Sequence, residues 1–206
     1  MKRAFVVTTW LLMTVATASA ADRFPGLALD QMTPDQKKVA EAIMSGPRKS
    51  LSGPFNAWLR SPELADRLQR VGEYVRFNTS LPPRLNEFAI LITAREWTAQ
   101  YEWYAHRPLA LKAGLDPRTA DDLAAGKRPA AMQDDEAIIY DFCVQLHRRK
   151  NVDDATFKAA LEKLGEKGVI DLIGVTGYYD VVSMTLNLAE VPLPQGIDPP
   201  LKALKE

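Results

Sequence analysis

Prolines punctuate this chain as helix starts: Thr33-Pro34, Ser61-Pro62, Leu81-Pro82-Pro83 and Asp116-Pro117. Proline suits a first helical turn because its missing N–H would have no intrahelical partner there. Gln36 stands three residues after Thr33 and completes a capping box. Stops follow the starts. Gly46-Pro47, Gly114 and Gly126 each close a helical stretch. Between them, Leu64, Leu68, Val71 and Val75 share one helix face, as do Ile138, Ile139, Phe142 and Leu146, then Phe157, Ala160, Leu161 and Leu164. Phe88–Ile92 is apolar all round, the mark of a buried helix. Arg48–Leu59 reads as a loop anchored by Phe55 and Trp58. Val169–Val191 is nearly apolar throughout, with Gly174 and Gly177 placed for close helix approach, until Pro192 and Pro194 end it. No strand-like alternation and no repeat appears. The expected fold class is all-α: a single-domain helical bundle.

The first twenty residues stand apart. Met1-Lys2-Arg3 is basic, Ala4 to about Ala16 is apolar, and Ala18-Ser19-Ala20 is an A-x-A cleavage signal. The expectation is a secretory signal peptide cut after Ala20 and a periplasmic or secreted product. Residues 21–49 then form an N-terminal arm and helix, 50–195 the main helical domain and 196–206 a C-terminal tail. No later segment reads as a membrane span, so no membrane contact is expected after cleavage. The chain as a whole has no net charge, and loss of Lys2 and Arg3 leaves it slightly acidic. That balance asks for no nucleic acid partner.

Cys143 is the only cysteine. It excludes an intramolecular disulfide and any redox cycle that needs two thiols in one chain. Cys143 and His147 are four apart and would be reactive if paired, but Cys143 falls beside an apolar helix face, where a buried, inert thiol is expected.

The chemistry concentrates between Leu81 and Leu115. Glu102 and His106 are four apart and share a helix face, amid Tyr101, Trp103 and Tyr104. A carboxylate beside an imidazole sets its tautomer and raises its pKa, giving an acid or base tunable near neutral pH. Glu87 lies in the apolar stretch upstream, where a carboxylate needs a partner; Arg84, Arg95 and the pocket are the alternatives. In one unbroken helix Glu87 and His106 would be roughly 28 Å apart, at about 1.5 Å per residue. They cooperate only if the helix breaks near Trp97–Ala99, with Thr98 as the next N-cap, or if another subunit supplies one of them. Pro108 should kink the helix just after His106. Arg95 serves either as a planar fork for a substrate carboxylate or in a structural ion pair. Tyr178 and Tyr179 line a cavity or simply pack. Two histidines are too few for an ordinary catalytic zinc site, so no metal is expected.

These blocks resemble the carboxymuconolactone decarboxylase family, which includes the alkyl hydroperoxidase D-like proteins. The resemblance runs from about Leu51 to Pro194. It rests on Arg76-Phe77-Asn78-Thr79-Ser80-Leu81-Pro82, Glu87, Tyr101-Glu102-Trp103, His106, Ala113-Gly114-Leu115, Gly177-Tyr178-Tyr179 and Val191-Pro192-Leu193-Pro194. The thiol-dependent branch uses a glutamate, a C-x-x-C pair and a histidine. Here Glu87 and His106 stand at the glutamate and histidine positions, while Ala99 and Glu102 replace the two cysteines. Peroxide reduction by a cysteine pair is therefore not implied.

The decarboxylase branch is more similar. It implies cofactor-free work on a small lactone acid, in homo-oligomers (trimers or hexamers) with sites near subunit contacts. On that resemblance His106, Glu102 and Glu87 are the catalytic candidates, and Arg95, Tyr101, Tyr104 and Tyr178 the substrate contacts. The expected partner is a small carboxylate or lactone, and the expected reaction is decarboxylation or isomerisation by proton transfer. Two alternatives remain: a non-catalytic periplasmic ligand-binding module, favoured by export, and redox work through Cys143 across subunits.

Overall fold

The computed structural model describes residues 23–204; the expected signal peptide, residues 1–20, lies outside them. Eight α-helices follow one another with no strand among the described residues: α1 (Pro34–Ser45), α2 (Phe55–Trp58), α3 (Pro62–Phe77), α4 (Pro83–Glu96), α5 (Gln100–Lys112), α6 (Pro117–Ala124), α7 (Asp134–Arg149) and α8 (Asp154–Ala189). The protein is all-α. Four helices start with proline in the first turn at the expected positions. At α1 the full capping box forms, with Gln36 N–H donating to Thr33 Oγ1 and Thr33 N–H to Gln36 Oε1. The Arg48–Leu59 segment, expected as loop, contains the four-residue α2, because Phe55 and Trp58 both turn inward and are buried.

The fold is organised around α4. Its residues from Phe88 to Arg95 are all buried, because α5, α7 and α8 pack against it from different sides. Burial of each large apolar side chain here, such as Phe88, Ile90 or Leu91, stabilises by roughly 1.5–3 kcal/mol. Buried polar groups on α4 are answered locally. Asn86 donates to Val75 O and accepts from Thr79 Oγ1, pinning the α3–α4 connection. Asp171 of α8 pins the same connection by accepting from Ser80 N–H, Ser80 Oγ and Tyr74 Oη.

α8 continues from Asp154 to Ala189 across a break at Gly165, whose φ of 69° is left-handed. By length and composition it could cross a membrane, which corrects the expectation that no such segment exists. Over half of its most apolar window is buried inside this fold, as in the central helix of a bundle. Gly174 lies in contact distance of Val75 of α3, as the small-residue spacing suggested, whereas Gly177 faces open space.

The α3 stripe differs from expectation, and the C-terminal segment has a defined place. Of the α3 stripe, Val75 is buried and Leu68 half-buried, but Leu64 and Val71 are about half exposed, since no described segment covers that side. The segment from residue 196 is anchored at the α4–α5 corner. Leu201 is buried, exchanges two hydrogen bonds with the Gln100 side chain, and precedes Lys202, whose carbonyl accepts from Arg95.

Candidate active site

The helix break that the site requires occurs where α4 gives way to α5. α4 ends at Glu96; Thr98 N–H donates to Arg95 O, and Ala99 N–H to Ala94 O. This is a Schellman arrangement with the left-handed position filled by Thr98, at φ 48°. Ala99, not Thr98, is the N-cap of α5, and its side chain supplies no cap. Thr98 therefore makes the reversal instead of opening the next helix. α5 then runs back along α4 and continues through Pro108 to Lys112.

The reversal places His106 beside Glu87. Nδ1 of His106 lies 2.7 Å from Glu87 Oε2, and Nε2 lies 3.0 Å from Glu102 Oε1. One imidazole thus bridges two carboxylates from different helices. Arg84 and Arg95 do not compete for Glu87: Arg84 pairs with Asp135 and Glu136, and Arg95 donates to Lys202 O. The ring of Tyr179 meets the imidazole edge to face at 5.1 Å, and Tyr178 in turn meets Tyr179 at 5.3 Å.

Burial by itself pushes the His106 pKa down. The charge and contact of Glu102, then the hydrogen bond and charge of Glu87, more than reverse this and lift it to about 9. At neutral pH the ring is an imidazolium, with Nδ1–H hydrogen-bonded to Glu87 and Nε2 within ion-pair distance of Glu102. Burial pushes the Tyr178 hydroxyl up to about 12 and raises that of Tyr179 well above the ordinary phenol value. Both phenols are therefore neutral donors.

Glu102 and His106 form one wall of a cavity of about 230 Å³, with Tyr178 and Tyr179 on α8 and with Arg48 and Arg76. Tyr101 also lines it, beside Gly53 and Phe55; Glu87 stands behind His106 and does not. Among the described residues, eight buried side-chain polar atoms have no protein hydrogen-bond partner. Four of them belong to residues that line this cavity: Arg48 Nε, Glu102 Oε1, Tyr178 Oη and Tyr179 Oη. Glu102 Oε1 is close to the imidazolium but has no well-aligned donor. Buried polar groups are normally paired, so this concentration of open donors and one open acceptor suits a polar ligand.

Not every candidate from the sequence reaches the cavity. Tyr101 and Tyr178 line it. Tyr104 is exposed and packs against Tyr101, with ring centroids 6.4 Å apart. Arg95, only 2% exposed, lies in a different depression shared with Arg148 and Lys202. Cys143 is fully buried, with its thiol against Thr176 Oγ1 at 3.6 Å and its pKa pushed up by burial to about 12. His147 bonds the Cys143 carbonyl and Asp180 instead of the thiol. Among the described residues no three His, Cys, Asp or Glu side chains are arranged to hold a metal ion.

Three contributors carry little or no signal in the sequence. Arg76 belongs to the segment that leads into α4, but its charge carried no pattern. Arg48 sits in an aperiodic stretch without any signal. Gly72 had one: a glycine inside an amphipathic helix costs about 1 kcal/mol and asks for a reason. The reason is Tyr178, since a Cβ at residue 72 would fall 2.1 Å from its hydroxyl oxygen. No family model matches the chain, and no curated protein matches its sequence.

Proposed function

We propose that the protein is a cofactor-free acid–base enzyme of the carboxymuconolactone decarboxylase type, acting on a small carboxylated lactone or related acid. The observation that carries this reading is His106, held between Glu87 and Glu102 at the wall of a small polar cavity. A buried imidazolium flanked by two carboxylates stores a proton where water has little access, and Glu102 Oε1 offers an open acceptor beside it. In decarboxylation, the bond from carbon to the leaving carboxylate breaks and its electron pair passes to that carbon, delocalised over the lactone carbonyl. CO2 departs, and the proton held by the His106–Glu102 pair replaces it. In isomerisation, the same pair removes a proton from one carbon and returns one to another. The neutral hydroxyls of Tyr178 and Tyr179 are suited to donate to the developing enolate oxygen. The all-helical fold and the absence of a cysteine pair are compatible with a homo-oligomeric enzyme of this kind, whereas the expected export favours the second reading.

A second reading is a ligand-binding module on the same scaffold. It is favoured by the imidazole itself, both of whose nitrogens are engaged by carboxylates. The test is release of CO2, or isomerised product, from a panel of lactone acids by wild type and by a folded His106→Gln variant. The enzyme reading expects turnover to fall by about 10²–10⁴ in the variant. Saturable binding with no turnover in the wild type sinks it and leaves the module.

A further inference from the structure

The cavity has an end that the acid–base centre does not use. Arg48 leaves the turn after α1, and Arg76 lies in the last turn of α3, so two separate segments deliver guanidinium groups to one small space. Both stack on the same ring: the Arg76 guanidinium carbon lies 5.2 Å from the Phe77 centroid and that of Arg48 lies 5.9 Å from it. Arg48 also stacks on Phe55 at 5.0 Å and donates from Nη2 to Gly72 O. Its orientation is thus fixed from three sides. Neither arginine has a carboxylate within ion-pair distance among the described residues, although most of the chain's other arginines do. Their charges nonetheless act on Tyr178 and Tyr179, whose hydroxyls are buried and unpartnered.

Charge balance then selects the ligand. With His106 protonated, the site holds three positive groups (Arg48, Arg76 and His106) and two negative ones (Glu87 and Glu102), one positive charge in excess. One carboxylate neutralises it; a dicarboxylate or a phosphate dianion overshoots. The volume agrees, because about 230 Å³ is below the roughly 300–1,000 Å³ of clefts for drug-sized ligands.

We infer that Arg48 and Arg76, with the hydroxyls of Tyr178 and Tyr179, form the anion-binding end of the cavity, and that the ligand is a small organic monocarboxylate whose reactive carbon faces Glu102. This rests on the isomerisation form of the acid–base reading for the role of the reactive carbon, since the carboxylate held by the arginines is not one that departs, and on the arginines alone for the anion. A planar carboxylate fits the guanidinium forks, and the aromatic faces behind them keep the forks in place. It also relocates the fork first sought at Arg95.

The experiment is calorimetric titration of the folded protein with benzoate and with γ-butyrolactone-γ-carboxylate. The neutral amides of both acids, phthalate and phenyl phosphate are run in parallel. Expected is binding of the two monocarboxylates at least about tenfold tighter than their amides or the dianions. Arg76→Gln should remove that preference while leaving amide binding unchanged, and Arg76→Lys should restore part of it. Arg76 makes no hydrogen bond that holds the fold, so this variant is the primary one; Arg48→Gln is read only where its melting curve matches wild type. Equal affinity for acid and amide, unchanged carboxylate binding in Arg76→Gln, tighter binding of the dianions, or no binding of either monocarboxylate by wild type each overturns the inference. Arginine-dependent binding without turnover supports the anion site while ending the enzyme reading. His106-dependent turnover with an Arg76→Gln KM equal to wild type does the reverse.

Discussion

His106 and Glu87 lie 19 positions apart in the chain, yet Nδ1 and Oε2 approach to 2.7 Å because the chain reverses at Thr98. That contact, with Glu102 on the other ring nitrogen, makes the imidazole an ionic hub buried between α4, α5 and the Tyr179 ring of α8.

The first consequence is a displaced titration. Proton NMR of His106 should give a midpoint near 9. Glu102→Gln should lower it more than Glu87→Gln, because the charge and the contact of Glu102 both favour the imidazolium more strongly than those of Glu87. With both carboxylates replaced, burial is left unopposed and the midpoint should fall below the ordinary 6.5. A wild-type midpoint at 6.5 would mean that the two carboxylates do not flank the ring in solution.

Stability should follow that titration. The folded pKa lies above the unfolded 6.5, so the contribution of His106 is complete below pH 6.5 and is lost as pH rises through about 9. Its size is on the order of 3 kcal/mol, at about 1.4 kcal/mol per pKa unit. Asp171 has the opposite sign. Burial would raise its pKa, but hydrogen bonds from Ser80, Lys167 and Tyr74 hold it well below the carboxylate range, so its contribution is present above the unfolded value and fades in acid. Urea melts across the alkaline range should show a decline in wild type that His106→Gln lacks.

Gly72→Ala should destabilise by about 1–3 kcal/mol, the usual cost of forcing a side chain into occupied space. The added methyl meets Tyr178 Oη at 2.1 Å and Cζ at 2.5 Å, and the displaced ring would disturb Trp58, 6.0 Å away by centroids. Thermal melts and tryptophan fluorescence read both effects. An unshifted melt would show that Tyr178 moves freely.

Thr98→Gly should stabilise by up to about 1 kcal/mol. Relief of a left-handed residue returns about 1–2 kcal/mol, offset in part by the greater unfolded freedom of glycine. Chemical denaturation decides it, and a loss of stability would count against the reversal as described.

Cys143 should react with Ellman's reagent only after unfolding, since the thiol is fully buried with a pKa near 12. Rapid labelling of the native protein would reopen redox chemistry at this residue.

Helix starts were legible because they are local: Pro34, Pro62, Pro83 and Pro117 act within one turn, and Thr33 and Asp116 beside two of them supply side-chain caps. The break after Glu96 was legible only as a condition for Glu87 and His106 to meet in one chain, with a second subunit as the alternative; the left-handed turn at Thr98 decides it. The exposure of Leu64 and Val71 was not, because periodicity marks an apolar face without saying what covers it. Arg95 misled for a related reason. An arginine near the break has the right chemistry, but its side chain points from α4 to the C-terminal segment and not into the cavity.

Local chemistry thus set the all-helical class, the positions of the starts and stops, the Glu102–His106 pair and the exclusion of a two-thiol cycle. These depend on residues within a turn or two of each other, or on a count. Tertiary packing alone decided that Arg48, Arg76, Tyr178 and Tyr179 share one cavity with that pair. They come from three segments more than 20 residues apart, and no short-range pattern links them; only the packing of α3 against α1 and α8, and of α8 against α4 and α5, does.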